Sequence, residues 1–234
     1  MRQIILDTET TGLRVEDNHR IIEIGCIELI DRKLTGEHYH IYINPEREID
    51  AGAQAVHGIT NHFLQNKPVF KAIVKEFMDF IGNAELIIHN APFDLSFLNH
   101  ELQLVNMGYQ LMTDYCSVID TLALARKIHI GQRNSLDALC KRYKIDNSKR
   151  DLHGALLDAN LLAQVYLAMT GGQGSFFDIQ DSHQSVAHQT QRTSQPLAKK
   201  HVLPVIYANQ DELTAHQEYL AKLKKQGKCV WEDS

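Results

Sequence analysis

Four carboxylates and one histidine, spread over three segments of the 234-residue chain, carry the chemistry that can be read from it. Asp7 and Glu9 follow the apolar run Ile4-Ile5-Leu6. Asp94 comes after a second such run, in His89-Asn90-Ala91-Pro92-Phe93-Asp94, and His153 and Asp158 frame Gly154-Ala155-Leu156-Leu157. Carboxylates gathered at the edge of a core repel one another and lose hydration, so they protonate unless a cation holds them. An all-oxygen donor set suits hard divalent ions such as Mg²⁺ or Mn²⁺. The residue types therefore predict a site for metal-assisted phosphoryl chemistry.

Spacing assigns the parts. Asp7 and Glu9, two apart at a strand end, project to the same face and can share a pair of ions. Two ions roughly 3.5–4 Å apart would stabilise the attacking and leaving oxygens of an in-line displacement. Asp94 lies just beyond an apolar strand, where sites on α/β sheets gather. Asp158 sits in the first turns of the last long apolar helix. His153 belongs to the loop entering that helix, and imidazole is suited to taking a proton from an attacking water. A lone Asp at a strand end is more often a cap or a turn residue; the co-occurrence of the motifs outweighs that reading here. For Asp158 the ordinary alternative is a surface ion pair, yet its flanks are Leu157 and Ala159. Asp120 and Asp137 read as caps or helix-surface residues, and His89 is open between a structural and a functional role.

Behind these residues the chain predicts strands over residues 3–7, 20–30 and 38–43, with a polar connection at Asp31-Arg32-Lys33 and Thr35-Gly36 between the second and third. Helices are expected over 68–81, 94–106, 122–127, 134–143 and 154–169, with strands at 85–89 and 117–121 among them. A three-strand meander followed by alternating helix and strand is an α/β domain with a mixed sheet. From Gly171-Gly172 to about Ala198 the composition turns to Gln, Ser, Thr and His, that of a flexible linker. Beyond it, a strand over 202–207 and an amphipathic helix over 211–225, with Leu213, Leu220 and Leu223 on one side, are too few residues for a core of their own. Their apolar face requires a partner.

The net charge of -5 argues against broad basic capture of nucleic acid, which relies on neutralising phosphates. Cys26, Cys116, Cys140 and Cys229 are widely spaced, a pattern of free thiols in a reducing compartment. No apolar run approaches a membrane span, and Asp7 stands too near the start for a cleavable leader. The expectation is a cytoplasmic protein without membrane contact.

In these motifs the chain resembles the DEDD superfamily of 3′–5′ exonucleases, and the His-x4-Asp form of the third motif is similar to its DEDDh branch. The resemblance implies a ribonuclease H-like fold, a five-stranded mixed sheet flanked by helices. It also implies Asp7, Glu9, Asp94 and Asp158 as ligands of two divalent metal ions, His153 as general base, and a nucleoside 5′-monophosphate as product. Further segments narrow the likeness: Asp7 to Gly12, Val56-His57-Gly58-Ile59, His89 to Asp94, Asn134 to Cys140 and His153 to Gly172. Together they resemble the epsilon proofreading subunits of bacterial DNA polymerase III. This likeness divides the chain into an exonuclease domain (1–172), a linker (173–198) and a polymerase-binding segment (199–234).

It implies that Val56, His57 and Phe93 wedge against the terminal nucleotides of a DNA 3′ end, that Thr8, Thr10 and Leu13 line the pocket, and that Asn90 lies near it. Gly52 stands where some relatives carry a carboxylate close to the terminal sugar. Gln173, Phe176 and Phe177 resemble peptides that dock on the sliding clamp. Leu213, Leu220 and Trp231 fall in the segment implied to anchor the catalytic alpha subunit, and a further small subunit is another implied partner. A free-standing exonuclease acting on RNA or single-stranded ends is the alternative, but it has little use for the linker and the dependent tail. A non-catalytic scaffold would have lost a ligand, and all five positions are present.

Overall fold

The computed structural model describes residues 1–148, 150, 152–171 and 209–226. They fall into two units, within Met1–His183 and Gln184–Ser234. The first contains a five-stranded sheet in the order β3-β2-β1-β4-β5, formed by β1 (Arg2–Thr10), β2 (Ile21–Ile30), β3 (Lys33–Tyr42), β4 (Glu85–Ile88) and β5 (Val118–Asp120). β1 pairs antiparallel with β2 and parallel with β4, while β2–β3 is antiparallel and β4–β5 parallel. This is the mixed α/β sheet that the meander and the helix–strand alternation predict.

Helices α1 (Ala51–His57), α2 (Asn61–Leu64), α3 (Phe70–Ile81), α4 (Ala91–Val105), α5 (Thr121–Ile128), α6 (Leu136–Tyr143) and α7 (Ala155–Thr170) complete this unit. The pleat of β1 divides its side chains between two layers. Ile4 and Leu6 enter one core with Phe70, Val74, Phe77, Phe97 and Leu98 of α3 and α4. Ile5 enters the other, with Leu139, Leu162 and Val165 of α6 and α7. Asp7 and Glu9 share the parity of Ile5, and Thr8 that of Leu6. The site thus forms where both layers meet the same sheet end.

Besides the four-residue helix α2, which no expected element covers, two local features differ from the expectation. The β2–β3 connection is the two-residue turn Asp31-Arg32, both at positive φ (49 and 66°). That backbone matches the twist of the flanking strands, so β3 starts at Lys33 and Thr35 and Gly36 lie inside it. The short helix α1 was not evident in the sequence. Seven residues carry little periodicity, but Gly58 closes it at φ 72°, its N–H returning to the Gln54 carbonyl.

Two close packings fix the frame. Gly25 lies opposite Asp7 in the β1–β2 register. A Cβ there would fall 2.3 Å from the Ala155 and Leu156 backbone, so the start of α7 rests directly on β2. Glu101 of α4, 1% exposed, takes both arms of the Arg20 guanidinium at 2.7 Å and the Ile21 N–H at 3.2 Å, joining α4 to the start of β2.

In the second unit, α8 (Gln210–Gln226) opens with a reciprocal cap: Asn209 N–H donates to Glu212 Oε2 and Glu212 N–H to Asn209 Oδ1, both at 2.9 Å. Acidic Asp211 and Glu212 at its start and basic Lys224 and Lys225 at its end complement the helix dipole. Leu213 is exposed and Leu220 half-buried. The expected strand over 202–207, together with Gln173, Phe176, Phe177, Cys229 and Trp231, lies outside the described residues. Among the described residues no helix is long and apolar enough to cross a membrane, and Cys26, Cys116 and Cys140 are free and buried.

Candidate active site

The carboxylates arrive from three elements. β1 ends at the Glu9/Thr10 irregularity, leaving Asp7 and Glu9 as its last residues on the α7 face. α4 begins at Ala91, after Asn90 adopts a left-handed conformation (φ 67°), with Pro92 in its first turn. Asp94 therefore sits in that turn, rather than opening the helix as its spacing suggested. It reaches across from the opposite layer and is fixed by Thr8, whose Oγ1 donates to Asp94 Oδ1 at 2.7 Å. Asp158 occupies the first turn of α7, its N–H donating to the Gly154 carbonyl. Asp94 and Asp158 are each 3% exposed.

Burial and mutual repulsion act together on these acids. Asp7 is held well above the ordinary carboxylate value by desolvation, then by Asp94, Glu9 and Asp158. Glu9 is pushed up to about 8 by burial, Asp158 and Glu23. Glu23 is its register partner, and its own carboxylate meets His40 Nε2 at 2.7 Å. Burial raises Asp94 to about 7 against the opposing hydrogen bond from Thr8. Glu9, His153 and Asp158 each offer one ligand atom, all within 4.8 Å of one another.

An open cleft of about 600 Å³ exposes this cluster. Asp7, Thr8, Glu9, Asn90, Phe93, Asp94, His153 and Asp158 line it, together with His89, Asn134, Asp137 and Arg150. Phe93 leans on Phe97, ring centroids 5.0 Å apart. His89 Nδ1 lies 3.0 Å from Thr121 Oγ1, and Asp120 caps α5 while accepting the Asn90 N–H, so both brace the cleft wall. His153 is in the loop before α7, as expected, its N–H bonded to the Val56 carbonyl at 3.1 Å. That bond ties the end of α1 to the site.

Four expected contacts stand apart from the cleft lining. Thr10 is buried and donates to the Gly12 carbonyl. Leu13 is 80% exposed in the turn beyond β1, and Val56 is half exposed on α1. His57 is buried with Nδ1 accepting the Ile59 N–H, and Nε2 makes no hydrogen bond.

Sequence reasoning missed Arg150. Its Nε and Nη2 grip Asp158 Oδ1 and Oδ2 at 2.5 and 2.8 Å, and its Nη1 meets Asp137 Oδ1 at 2.6 Å. The Asp158 bonds hold the guanidinium above its ordinary value although burial opposes this. The sequence held one signal for it: a buried acid cluster requires a cation, and Lys149 and Arg150 are the basic residues just before the third motif.

The family model described as exonuclease (RNase_T) matches residues 4–166. The DNA polymerase III subunit epsilon of Salmonella typhimurium is 50% identical over 236 residues, covering 98% of this chain and 97% of that one. Its namesake from Escherichia coli is 48% identical over 237 residues, with 98% and 97% covered. Among solved structures, exonuclease X in complex with 5′ overhanging duplex DNA is 27% identical, with a TM-score of 0.57 over 74% of this chain and 93% of that one. The nuclease domain of 3′hExo, a DEDDh family member bound to rAMP, shares the fold at 20% identity, with a TM-score of 0.60 over 72% of this chain and 90% of that one. By sequence, fold and the carboxylates gathered at its sheet end, the chain belongs to the exonuclease family, as a 3′–5′ exonuclease among the epsilon subunits of DNA polymerase III.

Proposed function

We propose that the chain proofreads: it hydrolyses the last phosphodiester of a mispaired DNA 3′ end and releases a nucleoside 5′-monophosphate. The observation that carries this reading is the convergence of Asp7, Glu9, Asp94 and Asp158 on one cleft, where burial and neighbouring carboxylates oppose the ionisation of Asp7, Glu9 and Asp94. Such a donor set fits hard divalent cations. Asp7, Glu9, Asp94 and Asp158 would hold two of them, Mg²⁺ or Mn²⁺. When bound, these supply Lewis-acid stabilisation of the charge that develops on the phosphoryl oxygens.

The remaining work falls to side chains of this protein. His153, at the solvent side of the cluster, takes the proton of the attacking water. Thr8 keeps Asp94 turned toward Asp7 through its hydrogen bond. Phe93, backed by Phe97, offers an aromatic edge to the terminal base, and Asn90 lies beside it at the cleft wall. Val56 and His57 border the same entrance through the bond from His153 N–H to the Val56 carbonyl, with Thr10 at the last position of β1 and Leu13 in the turn beyond it. Selectivity needs no reading of the base. A mispaired end costs less to unpair than a paired one, so single strand reaches the cleft more often.

The net charge of -5 suits an enzyme whose DNA is presented by a polymerase. The division into 1–172, 173–198 and 199–234 belongs to the same proposal. Leu213 and Leu220, seven residues apart on α8, lie on the face offered to the catalytic alpha subunit, with Trp231 beyond it. Gln173, Phe176 and Phe177 are offered to the sliding clamp. The test is Mg²⁺-dependent digestion of 5′-labelled primers with paired and mispaired 3′ ends, beside a short RNA. Faster loss of the mispaired deoxynucleotide is expected. Equal rates on both ends, or preference for RNA, would overturn the assignment.

A further inference from the structure

Arg150 is only 7% exposed at its side chain and spends every arm of its guanidinium on the site. Two nitrogens cover both oxygens of Asp158, the third meets Asp137, and Nη2 also lies 2.9 Å from His153 Nδ1. A guanidinium only donates. Nδ1 of His153 must therefore be the acceptor, and a neutral ring then carries its hydrogen on Nε2. In this arrangement neither ring nitrogen is available to take a proton. A cation drawing on Asp158 would compete for the oxygens that Arg150 covers, since two positive charges at one buried carboxylate repel strongly. Arg150 also has somewhere to go. Asp137 is 58% exposed against 3% for Asp158, so one arm already rests on an acid facing solvent.

We propose that Arg150 is a latch: it neutralises Asp158 and occupies His153 Nδ1 together, and a divalent cation taking Asp158 releases the histidine. The general base then becomes available only when the acids are loaded. This rests on the reading of Asp158 as a cation ligand and His153 as the base, and it makes Arg150 a positioning residue that acts through both.

The experiment uses the full chain and the metal alone. Mg²⁺ binding is measured by calorimetry for the wild type and Arg150→Met, and the imidazole nitrogens of His153 are followed by long-range ¹H–¹⁵N spectra. The latch predicts that Arg150→Met binds Mg²⁺ about tenfold more tightly, a difference of about 1.4 kcal/mol. It also predicts that saturating Mg²⁺ moves the wild-type His153 Nδ1 signal away from its position as an acceptor, a change absent or much reduced in the variant. Equal or weaker Mg²⁺ binding by Arg150→Met would show that the arginine merely props the ligand set, and would overturn the latch. So would an unmoved wild-type His153 signal, an observation that needs no variant. If the wild type binds Mg²⁺ normally in either case, the metal reading survives; if it binds none, both fall.

Discussion

The acids and the groups that attend them are built on different foundations. Asp7, Glu9, Asp94 and Asp158 stand on β1, α4 and α7, elements locked by the sheet register and two apolar layers. His153 and Arg150 come from the connection between α6 and α7, and the His153 side chain is 43% exposed. Charges that repel one another must be held by something stiffer than themselves, and only packed secondary structure supplies that. A group proposed to take a proton from water needs the opposite, an exposed place on a loop positioned by a rigid scaffold. Stability and proton transfer should therefore respond to different residues.

The sharpest way to break this division is Asp7→Asn. It should lower the exonuclease rate by about 10³-fold or more, the several kcal/mol that metal-borne charge stabilisation contributes. Because it relieves repulsion among buried acids, it should raise the melting temperature in EDTA; a lower melting temperature would mean that the acids do not strain the fold. His153→Ala should cost activity about 10²-fold or more. At so exposed a position it should alter unfolding free energy by about 0.5 kcal/mol or less, and a larger loss in urea titration would place His153 among the structural residues.

Gly25→Ala tests the scaffold instead. Its Cβ would press on the α7 backbone at 2.3 Å, so a destabilisation of about 1–3 kcal/mol is expected from overpacking. The rate should fall in parallel, because Asp158 moves with the helix; full activity in a destabilised variant would uncouple the two. A gentler probe is pH. Glu9 near 8, Asp94 near 7 and Asp7 raised all bind protons more tightly folded than unfolded. Their contribution to stability is full below the unfolded carboxylate range, about pH 4, and is lost as pH rises through the folded values. In EDTA the melting temperature should drift down between about pH 5 and 8, and saturating Mg²⁺ should flatten the drift. The smallest effect is expected on removing residues 198–234, which should leave the rate on a short single strand unchanged while abolishing co-purification with the polymerase subunit. Retained co-purification would move the partner surface elsewhere.

Much of the frame was legible because its signals are local. The apolar run before Asp7, the parity of Asp7 and Glu9, and the strongly apolar character of α7 can each be read within one continuous segment. The helix over 134–143 was foreseen, although Ser135 rather than Asn134 supplies its cap, accepting the Ala138 N–H. What stayed hidden depends on residues that meet only in three dimensions. The Thr8–Asp94 bond spans 86 positions, and Glu23 meets Glu9 only through the β1–β2 register. Arg150 escaped for a subtler reason. The partner of Asp158 was sought at its helical flanks, Leu157 and Ala159, whereas the cation comes from the preceding loop. Val56 joins the site through its carbonyl, a group that every residue carries and that no pattern of side chains can reveal.

Gly25 has no functional group, yet the geometry of the acids depends on what it lacks. Methods that rank positions by the side chain they would lose assign it nothing, and alanine scanning, which elsewhere subtracts atoms, would here add one. For engineering, this makes β2 the lever: small volume changes beneath α7 could shift Asp158 against Asp7 without touching a charged residue. Nuclease variants graded in activity should therefore be sought beneath the helix, among substitutions that alter only the height at which it rests.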